Sequence, residues 1–307
     1  MRTKARSLDQ RITQVDRVSF DTHQSLAIYA NSNGFLHGFK SSRHLMSCTA
    51  IAEAEGQMQR DYEYTVARKA SDLGSPALLA EQCVAKVTKR LGARPIKTTR
   101  CPVIFEASLA RGLISNFIRA ISGGSLYRKT SFLLDHLGKS VFPSFVRIWQ
   151  EPQLKGAWGS ANYDSDGVAT RELDYIKEGL LHSYVLGEYS ARRLGLKTTG
   201  NAGGVYNLFI NHSDQDFKAL VKQMGRGLIV TELMGQGVNL LTGDYSRGAF
   251  GFWVENGEIQ HPVEGVTIAG NLRDLLANLV AVANDVDKRS SIQTGSILLA
   301  DMMVAGN

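Results

Sequence analysis

The stretch ELMGQGVNLLTGDYSRGAFGFWVENGEI, residues 232–259, says most about how this chain folds. A glycine-studded loop, Gly235-Gln236-Gly237, is followed by a polar turn at residues 244–247 and by an aromatic segment at residues 249–254. Asn256-Gly257 lies between two alternating runs and predicts a β-hairpin, because a type I′ turn needs positive φ at both central residues. So many glycines indicate a place where the backbone passes close to another group.

Upstream of this stretch, the first sixty residues predict a β meander. Residues 25–39 contain two alternating runs around the turn sequence NSNG, and residues 44–68 contain two more around Glu55-Gly56. Ser75-Pro76 then predicts a helix start, with serine as N-cap and proline at the first helical position. Apolar residues continue it at helical spacing, and Gly92 ends it; they are Leu79, Cys83, Val87 and Leu91.

The rest of the chain predicts a second helix and then mostly strands. Leu109, Leu113, Phe117 and Ile121 recur at helical spacing and predict a helix over residues 106–121, stopped by Gly123-Gly124. Two further helices are predicted by capping boxes, one from Ser213 with Asp216 to Gly225, and one from Asn271 with Asp274 to residue 283. Strands are predicted at 145–151, 168–177, 180–186, 227–233 and 297–304.

These elements predict an α+β fold that is rich in β structure. We expect two domains, with a boundary near residue 100. Residues 1–100 form a small region of β hairpins and one helix. Residues 101–307 form a large domain of curved, mainly antiparallel sheets with covering helices.

Length, composition and charge describe an ordinary soluble protein. With 307 residues the chain can bury roughly 75% of its unfolded surface. Its hydrophobic fraction is 43% and its charged fraction is 21%. The net charge of +6 is mild, and the basic residues form no run longer than a pair. Nucleic-acid binding is therefore not predicted, because it needs a basic stripe or patch.

Cysteine usage and the absence of targeting signals predict a cytoplasmic location. The three cysteines are odd in number, far apart and without a CxxC pair, which is typical of reduced thiols. The basic start MRTKARSLDQ is not followed by an apolar segment, so no signal peptide is predicted. The longest apolar run, residues 275–283, is interrupted by Asn278 and is too short to span a bilayer.

No metal site is evident from residue spacing. The seven histidines have no zinc-type spacing, although distant ones could still converge in the fold. The run DSDG at 164–167 is similar to the opening of a calcium loop, but the position eleven residues after Asp164 is Tyr175 and not a bidentate acid. We interpret DSDG as a tight polar turn.

Nucleotide binding and serine catalysis lack their motifs. Gly235-Gln236-Gly237 is not GxGxxG, and no GK[ST] sequence follows it. The run GNAGG at 200–204 could offer backbone N–H groups to an anion, but it also suits close packing of two segments. No GxSxG sequence exists, and nothing marks Ser160, Ser246 or Ser296 as a nucleophile.

Asp244, Tyr245 and Arg247 allow two interpretations. They could form a polar rim that holds an extended peptide or a partner chain by strand addition. Alternatively, Asp244 and Arg247 form an internal ion pair that closes a loop. The sequence alone does not separate the two.

Long strings of this chain closely resemble the PmbA (TldE) branch of the TldD/PmbA family. The opening stretch carries the resemblance together with TIAGNLRDLLANL at 267–279 and NDVDKRSSIQTGSILLADM at 284–302. AISGGSLYRKTSFLLDHLGK at 120–139, YSARRLGLKTTGNAGG at 189–204 and ARKASDLGSP at 67–76 fit the same branch. Full-length members carry a further N-terminal α+β domain, so the resemblance implies that most of that domain is missing here.

The resemblance implies a cytoplasmic zinc metallopeptidase made of two related subunits. The TldD partner holds zinc through a HExxxH helix and a later cysteine. The PmbA subunit is its paralogue, and a homodimer in isolation is possible. The implied substrates are peptides or unfolded proteins, including microcin precursors and an unfolded antitoxin.

The zinc motif is degenerate in this sequence. Phe105 stands at the first histidine position, Glu106 at the glutamate, and Ala110 or Arg111 at the second histidine. None of the histidine replacements can donate to zinc. The loop Gly235-Gln236-Gly237, where the partner supplies its cysteine, contains none.

The sequence therefore predicts a subunit without metal that acts through a TldD-like partner. The candidate peptide-cleft or interface residues are Gly235, Gln236, Gly237, Asp244, Tyr245 and Arg247. No catalytic residue and no cofactor are predicted in this chain, and zinc is expected in the partner. Two alternatives remain: a non-enzymatic peptide-binding or scaffold protein that acts without TldD, and a stand-alone serine hydrolase.

Overall fold

The computed structural model describes residues 1–306, and the chain divides into two units, Met1–Arg94 and Pro95–Asn307. Each unit has its own core. No helix within residues 1–306 is both long and apolar enough to cross a membrane.

The first unit is a three-stranded antiparallel sheet covered by two helices. Its order is β1-β2-β3, so the predicted meander is confirmed. The second turn has Glu55 at φ 51° and Gly56 at φ 76°, as a type I′ turn requires. The elements are α1 (Arg2–Leu8), β1 (Ile12–Ala30), β2 (Leu36–Ala54), β3 (Gln57–Ala67), a 3-10 turn (Ala70–Asp72) and α2 (Pro76–Thr88).

Helix α2 begins as its sequence predicts. The Ser75 side chain accepts a hydrogen bond from the Ala77 N–H, and Pro76 occupies the first turn. The apolar stripe Leu79, Cys83 and Val87 is buried against the sheet. The same core contains small residues of β2, namely Cys48, Ala50 and Ala52, because a helix can approach a sheet closely only where side chains are short.

The second unit contains two sheets. The larger has the order β11-β10-β9-β4-β14-β12, and the smaller has the order β13-β8-β5-β6-β7. Its elements are β4 (Thr99–Phe105), α3 (Ala107–Ala120), α4 (Gly123–Tyr127), β5 (Ile148–Gln150), β6 (Leu173–Lys177), β7 (Leu180–Leu181), α5 (Glu188–Leu194), β8 (Leu208–Ile210), α6 (Phe217–Met224), β9 (Gly227–Met234), β10 (Asp244–Glu255), β11 (Glu258–Asn271), α7 (Leu272–Ala277), β12 (Leu279–Val282), β13 (Ile292–Gln293) and β14 (Ile297–Ala305).

The larger sheet curves until its ends meet. Strand β11 pairs with β10 on one side and with the end of β14 on the other, which closes five of the six strands into a ring. Most pairs are antiparallel, and β4 and β9 run parallel. The α+β class with curved, mainly antiparallel sheets is therefore confirmed.

The β10–β11 hairpin follows the sequence prediction closely. Asn256 at φ 54° and Gly257 at φ 73° form the turn, and Glu255 pairs with Glu258 across it. Where β10 crosses β9, a Cβ at Gly251 would overlap the Ile229 carbonyl oxygen. The glycine is required there because two backbones touch at an irregularity in the strand pairing.

Several predicted boundaries are wrong. The strands predicted at 145–151, 168–177 and 180–186 shrink to β5, β6 and β7, because irregular backbone and side-chain hydrogen bonds replace the ladder around them. Asp216, not Ser213, caps α6 through the Ala219 N–H. Helix α7 ends at Ala277, and residues 279–282 form β12 against β14. Gly123-Gly124 does not only end α3; it starts α4.

Candidate functional site

The degenerate motif lies where strand β4 passes into helix α3. Strand β4 ends at Phe105, helix α3 begins at Ala107, and Glu106 is the N-cap between them. The Glu106 N–H donates to the Val230 carbonyl of β9 at 3.2 Å. This bond continues the parallel pairing in which Phe105 lies opposite Val230. The junction is therefore fixed to β9 through its backbone.

The two positions that the resemblance assigns to histidines hold core residues. Phe105 and Ala110 are both 0% exposed. The Phe105 ring meets the Tyr245 ring edge-on, with centroids 6.4 Å apart. Carbon side chains enclosed in this way leave no donor atom for zinc, so the residues present at these positions do not fit the ion.

The start of α3 is capped from a distant part of the chain. The Ala107 N–H donates to the Ser296 Oγ at 3.0 Å, and this hydroxyl donates to the Asp285 Oδ2 at 2.7 Å. The Ser296 N–H donates to the Asp285 Oδ1 at 2.8 Å. Ser296 is 0% exposed, so it is a structural cap and no free nucleophile. No local sequence signal links these residues, because Ala107 and Ser296 are 189 positions apart and Ser296 and Asp285 are 11 positions apart.

The remaining motif position, Arg111, takes part in an ion cluster. Its guanidinium lies 3.9 Å from the Asp287 carboxylate, which Arg289 also binds at 2.9 Å. Burial alone would raise the pKa of Asp287, but hydrogen bonds from Arg289 and the charge of Arg111 outweigh burial and lower it. Arg111 therefore has a structural partner.

The glycine loop follows β9 and returns along β10. A Cβ at Gly237 would overlap the Ser246 carbonyl oxygen, and the Ser246 N–H donates to the Gly237 carbonyl at 2.7 Å. Gly235 has φ 76° and open space around its Cα. The close approach predicted from the glycines is therefore present at Gly237, and the neighbour is this chain's own backbone. Gln236 between them is exposed.

Residues 244–247 do not form a turn but the first residues of β10. Tyr245 is 2% exposed, and burial raises its pKa to about 12 although the nearby Arg247 charge opposes the rise. Asp244 is exposed and accepts from the Thr242 hydroxyl at 2.6 Å. The prediction of a polar turn missed that Asp-Tyr-Ser-Arg alternates between outward and core-facing positions.

Arg247 is half-buried on the core-facing side of β10. No ion pair joins it to Asp244 or to another carboxylate within residues 1–306, so the interpretation as an internal Asp–Arg pair is wrong. Its Nε is buried and has no hydrogen-bond partner. The guanidinium also forms a hydrogen bond with the Tyr245 side chain. The buried Nε without a partner is nevertheless costly unless another group binds it.

The motif junction and the glycine loop are connected through two structural links. Strand β9 carries Val230, which binds Glu106, and ends where the loop begins. Tyr245 contacts Phe105 from β10. The structure thus brings Phe105, Glu106 and Tyr245 into one region. Asp244 lies at its exposed margin, and Gly235-Gln236-Gly237 form the adjoining loop.

The other candidate loops are held by internal hydrogen bonds. The Asp164 carboxylate is 2% exposed and accepts from the N–H groups of Asp166, Val168 and Ala202. Asn201 from the GNAGG run is buried and donates to the Gln150 side chain. DSDG is therefore a tight turn, as interpreted. No group of three or more His, Cys, Asp or Glu side chains that could hold a metal occurs in residues 1–306.

Comparison with known proteins gives the family. A model of the PmbA/TldA metallopeptidase central domain matches residues 1–91, and a model of the C-terminal domain matches residues 98–306. Metalloprotease PmbA of Escherichia coli O157:H7 is 49% identical over 97% of this chain, and the PmbA homolog of Haemophilus influenzae is also 49% identical over 97%. The chain spans 66% of the length of each of these relatives.

Solved structures show the same fold. A proposed modulator of DNA gyrase from Bacteroides thetaiotaomicron has a TM-score of 0.94 at 27% identity, covering 100% of this chain and 69% of its own. TldE from Thermococcus kodakarensis has a TM-score of 0.87 at 22% identity, covering 99% of this chain and 72% of its own. This chain therefore belongs to the PmbA branch of the PmbA/TldD metallopeptidase family.

Proposed function

We propose that this chain is the subunit without metal of a heteromeric zinc metallopeptidase. A TldD-like partner holds the zinc, and this chain forms part of the peptide cleft. The complex processes peptides in the cytoplasm, with microcin-type precursors and unfolded antitoxins as the expected substrates. A homologue from Haemophilus influenzae that is named TldD is 22% identical over 91% of this chain, which supports a partner built on the same scaffold.

One observation carries the proposal. At the positions that the resemblance assigns to the zinc ligands, Phe105 and Ala110 are fully buried carbon side chains. Glu106 remains, but a glutamate without a metal leaves a water at its bulk pKa of roughly 15.7 instead of about 7. A peptidase scaffold with these replacements suits a role in binding and not in bond cleavage.

The glycine loop and the start of β10 are the proposed contact surface. Gln236, Asp244 and Ser246 are exposed, while Gly237 holds the loop close to β10. Arg247 adds a positive charge that no carboxylate of residues 1–306 neutralises. Backbone groups, a glycine-rich wall and a guanidinium whose Nε has no partner suit an extended peptide, which offers carbonyl and carboxylate oxygens.

The test is assembly followed by activity. We expect the chain to co-purify with a TldD-like protein from the same cell, and we expect zinc to be found with that partner. Stoichiometric zinc on this chain alone would contradict the proposal.

If the TldD-like protein fails to associate while peptides still bind, the scaffold interpretation is favoured. Activity that survives strong chelators and is lost with a serine-directed reagent would favour the hydrolase.

Glu106 provides a sharper control. Glu106→Gln in this chain should change the rate of peptide hydrolysis by the complex by about twofold or less, because this carboxylate activates no water. The equivalent glutamate-to-glutamine change in the HExxxH motif of the partner should abolish the activity. A large loss from Glu106→Gln, with assembly intact, would instead place chemistry in this chain.

A further inference from the structure

The outer edge of strand β1 is unpaired. Strand β1 lies at one side of the three-stranded sheet, and its only strand partner among residues 1–306 is β2. Its pairing with β2 is regular from Arg17 to Ala30, without a bulge that would twist the edge away. Native proteins usually cover or interrupt such an edge, because its free N–H and C=O groups are a template for another strand.

Much of this strand carries exposed apolar side chains. Val18 is 37% exposed and Phe20 is 59% exposed, and further along Leu26 and Ile28 reach 61% and 67%. Val18 pairs with Cys48, which is buried under α2. On this face of the sheet, helix α2 therefore covers Cys48 of β2 but leaves Val18 and Phe20 of β1 exposed.

The opposite face of β1 carries two exposed charges of opposite sign. Arg17 and Asp21 are both exposed, and neither forms an ion pair within the described residues. Residues four apart on a strand are separated by about 13 Å, so these two cannot pair with each other. Ser19 lies midway between them, with its hydroxyl 2.8 Å from that of Ser47.

We propose that β1 pairs antiparallel with β1 of a second copy of this chain, around a two-fold axis at Ser19. In this register Arg17 lies opposite Asp21 of the second copy, and Val18 lies opposite Phe20. Each of these pairs occurs twice by symmetry. Directly opposite side chains have Cβ atoms about 4.5–5.5 Å apart, so the charges can form ion pairs and the apolar groups can touch.

The pattern is self-complementary, which selects a second copy as the occupant. In a two-fold interface the same patch serves both chains, so a residue and its partner must exchange roles. Arg17 and Asp21 are equidistant from Ser19 and of opposite charge, and Val18 and Phe20 are equidistant and both apolar. The two three-stranded sheets then become one six-stranded sheet, in which both β1 edges are paired.

Sedimentation equilibrium of the purified chain tests the proposal. We expect dimers at on the order of 10 µM chain. Asp21→Arg or Arg17→Asp should weaken dimerisation about thirtyfold, because each change reverses two cross-strand charge pairs. The double variant Arg17→Asp with Asp21→Arg should regain most of the affinity. Lys40→Asp is the matched control for Arg17→Asp, since it makes the same charge change on an exposed residue of β2.

Cross-linking tests the register independently. The three native cysteines are buried, so an introduced thiol is the reactive one. Ser19→Cys places two thiols next to each other at the axis, and mild oxidation by a copper complex should join the chains by a disulfide. His23→Cys, four residues away, should not cross-link, because its counterpart lies beyond reach.

Three results would overturn the proposal. The first is a monomer at this concentration, or a dimer that the charge reversals do not affect. The second is equal cross-linking at positions 19 and 23. The third is pairing of this edge only with a TldD-like chain or with a peptide. Circular dichroism of each variant confirms that the exposed substitutions leave the fold intact. These outcomes do not depend on zinc or peptidase activity, so they are separate from the test of the proposed function.

Discussion

The motif junction and the glycine loop adjoin in the second unit but differ in how their polar groups are bound. At the junction, the first N–H of α3 is capped by Ser296, and Arg111 has Asp287 as its partner. In the loop, Gln236 is exposed and the Arg247 Nε has no partner. The polar groups named at the junction have their partners within this chain, whereas the loop region retains polar groups that can bind another molecule.

This difference indicates a structural role for the junction and is consistent with the binding role proposed for the loop region. Buried carbon side chains and internal hydrogen bonds contribute to the stability of the junction. A site with an unpaired buried nitrogen carries a free-energy cost that a ligand can remove. Substitutions at the junction should therefore change stability, and substitutions in the loop region should change binding.

The largest effect is expected at Phe105. Phe105→Ala should lower the free energy of unfolding by about 3–5 kcal/mol, because it opens a cavity beside Tyr245. Urea denaturation followed by tryptophan fluorescence measures the change. Phe39→Ala, which removes a ring that is already 43% exposed, is the control and should cost much less. A similar small cost at Phe105 would show that the position is not a packed core site.

The two glycines of the loop should differ from each other. Gly237→Ala should cost about 1–3 kcal/mol, because the new Cβ overlaps the Ser246 carbonyl and pushes the loop away from β10. At Gly235 a new Cβ would touch no other atom, so the only cost of Gly235→Ala comes from the positive φ, and it should be about 1 kcal/mol. Thermal unfolding of the two variants under the same conditions makes the comparison. Equal losses would mean that backbone contact at Gly237 is not what requires a glycine.

Removal of the distant cap should have an intermediate effect. Ser296→Ala leaves the Ala107 N–H and the Asp285 carboxylate without the hydroxyl between them, at a cost of about 1–2 kcal/mol. Ser71→Ala, at an exposed serine, should change the free energy of unfolding by less than about 0.5 kcal/mol. If the two variants are equally stable, the hydroxyl is not an effective cap.

The Asp287 cluster predicts a pH-dependent effect. Because the folded-state pKa of Asp287 lies below its usual value of 3.8, ionisation stabilises the fold above that value. This contribution is lost as the pH falls through the lower folded-state pKa. Asp287→Asn should therefore cost about 1–2 kcal/mol at pH 7, and less below about pH 4. A cost that is independent of pH between 3 and 7 would contradict the assigned ion cluster.

The smallest effect on stability is expected at Arg247. Arg247→Met keeps the length of the side chain and removes the unpaired nitrogen, so stability should change by less than about 1 kcal/mol. Peptide binding should instead weaken by about tenfold, or roughly 1.4 kcal/mol, as measured by calorimetry. Arg192→Met is the control, since Arg192 already pairs with Glu188 on the exposed side of α5. Unchanged peptide affinity at Arg247 would remove this residue from the proposed cleft.

Local signals predicted much of the fold and little of the site. The Ser75-Pro76 helix start, the apolar spacing of α3 and the Asn256-Gly257 hairpin were all correct, because each depends on neighbouring residues. The start of β10 was missed, since Asp244 and Ser246 suggested a turn. The last predicted helix ran too long, because pairing with β14 makes residues 279–282 a strand. The Ser296 cap was not predictable from spacing.

The sequence by itself determined the class of fold and the family, and it places Phe105 and Ala110 at the positions that the resemblance assigns to zinc ligands. These features depend on residue identity and on short-range patterns. Only the tertiary structure decided what surrounds these two positions. The ring of strands places β10 and β14 around the start of α3, so that Tyr245 fills the space beside Phe105 and Ser296 caps the helix. The same packing buries the Arg247 Nε without a hydrogen-bond partner among residues 1–306, which no local sequence pattern indicated.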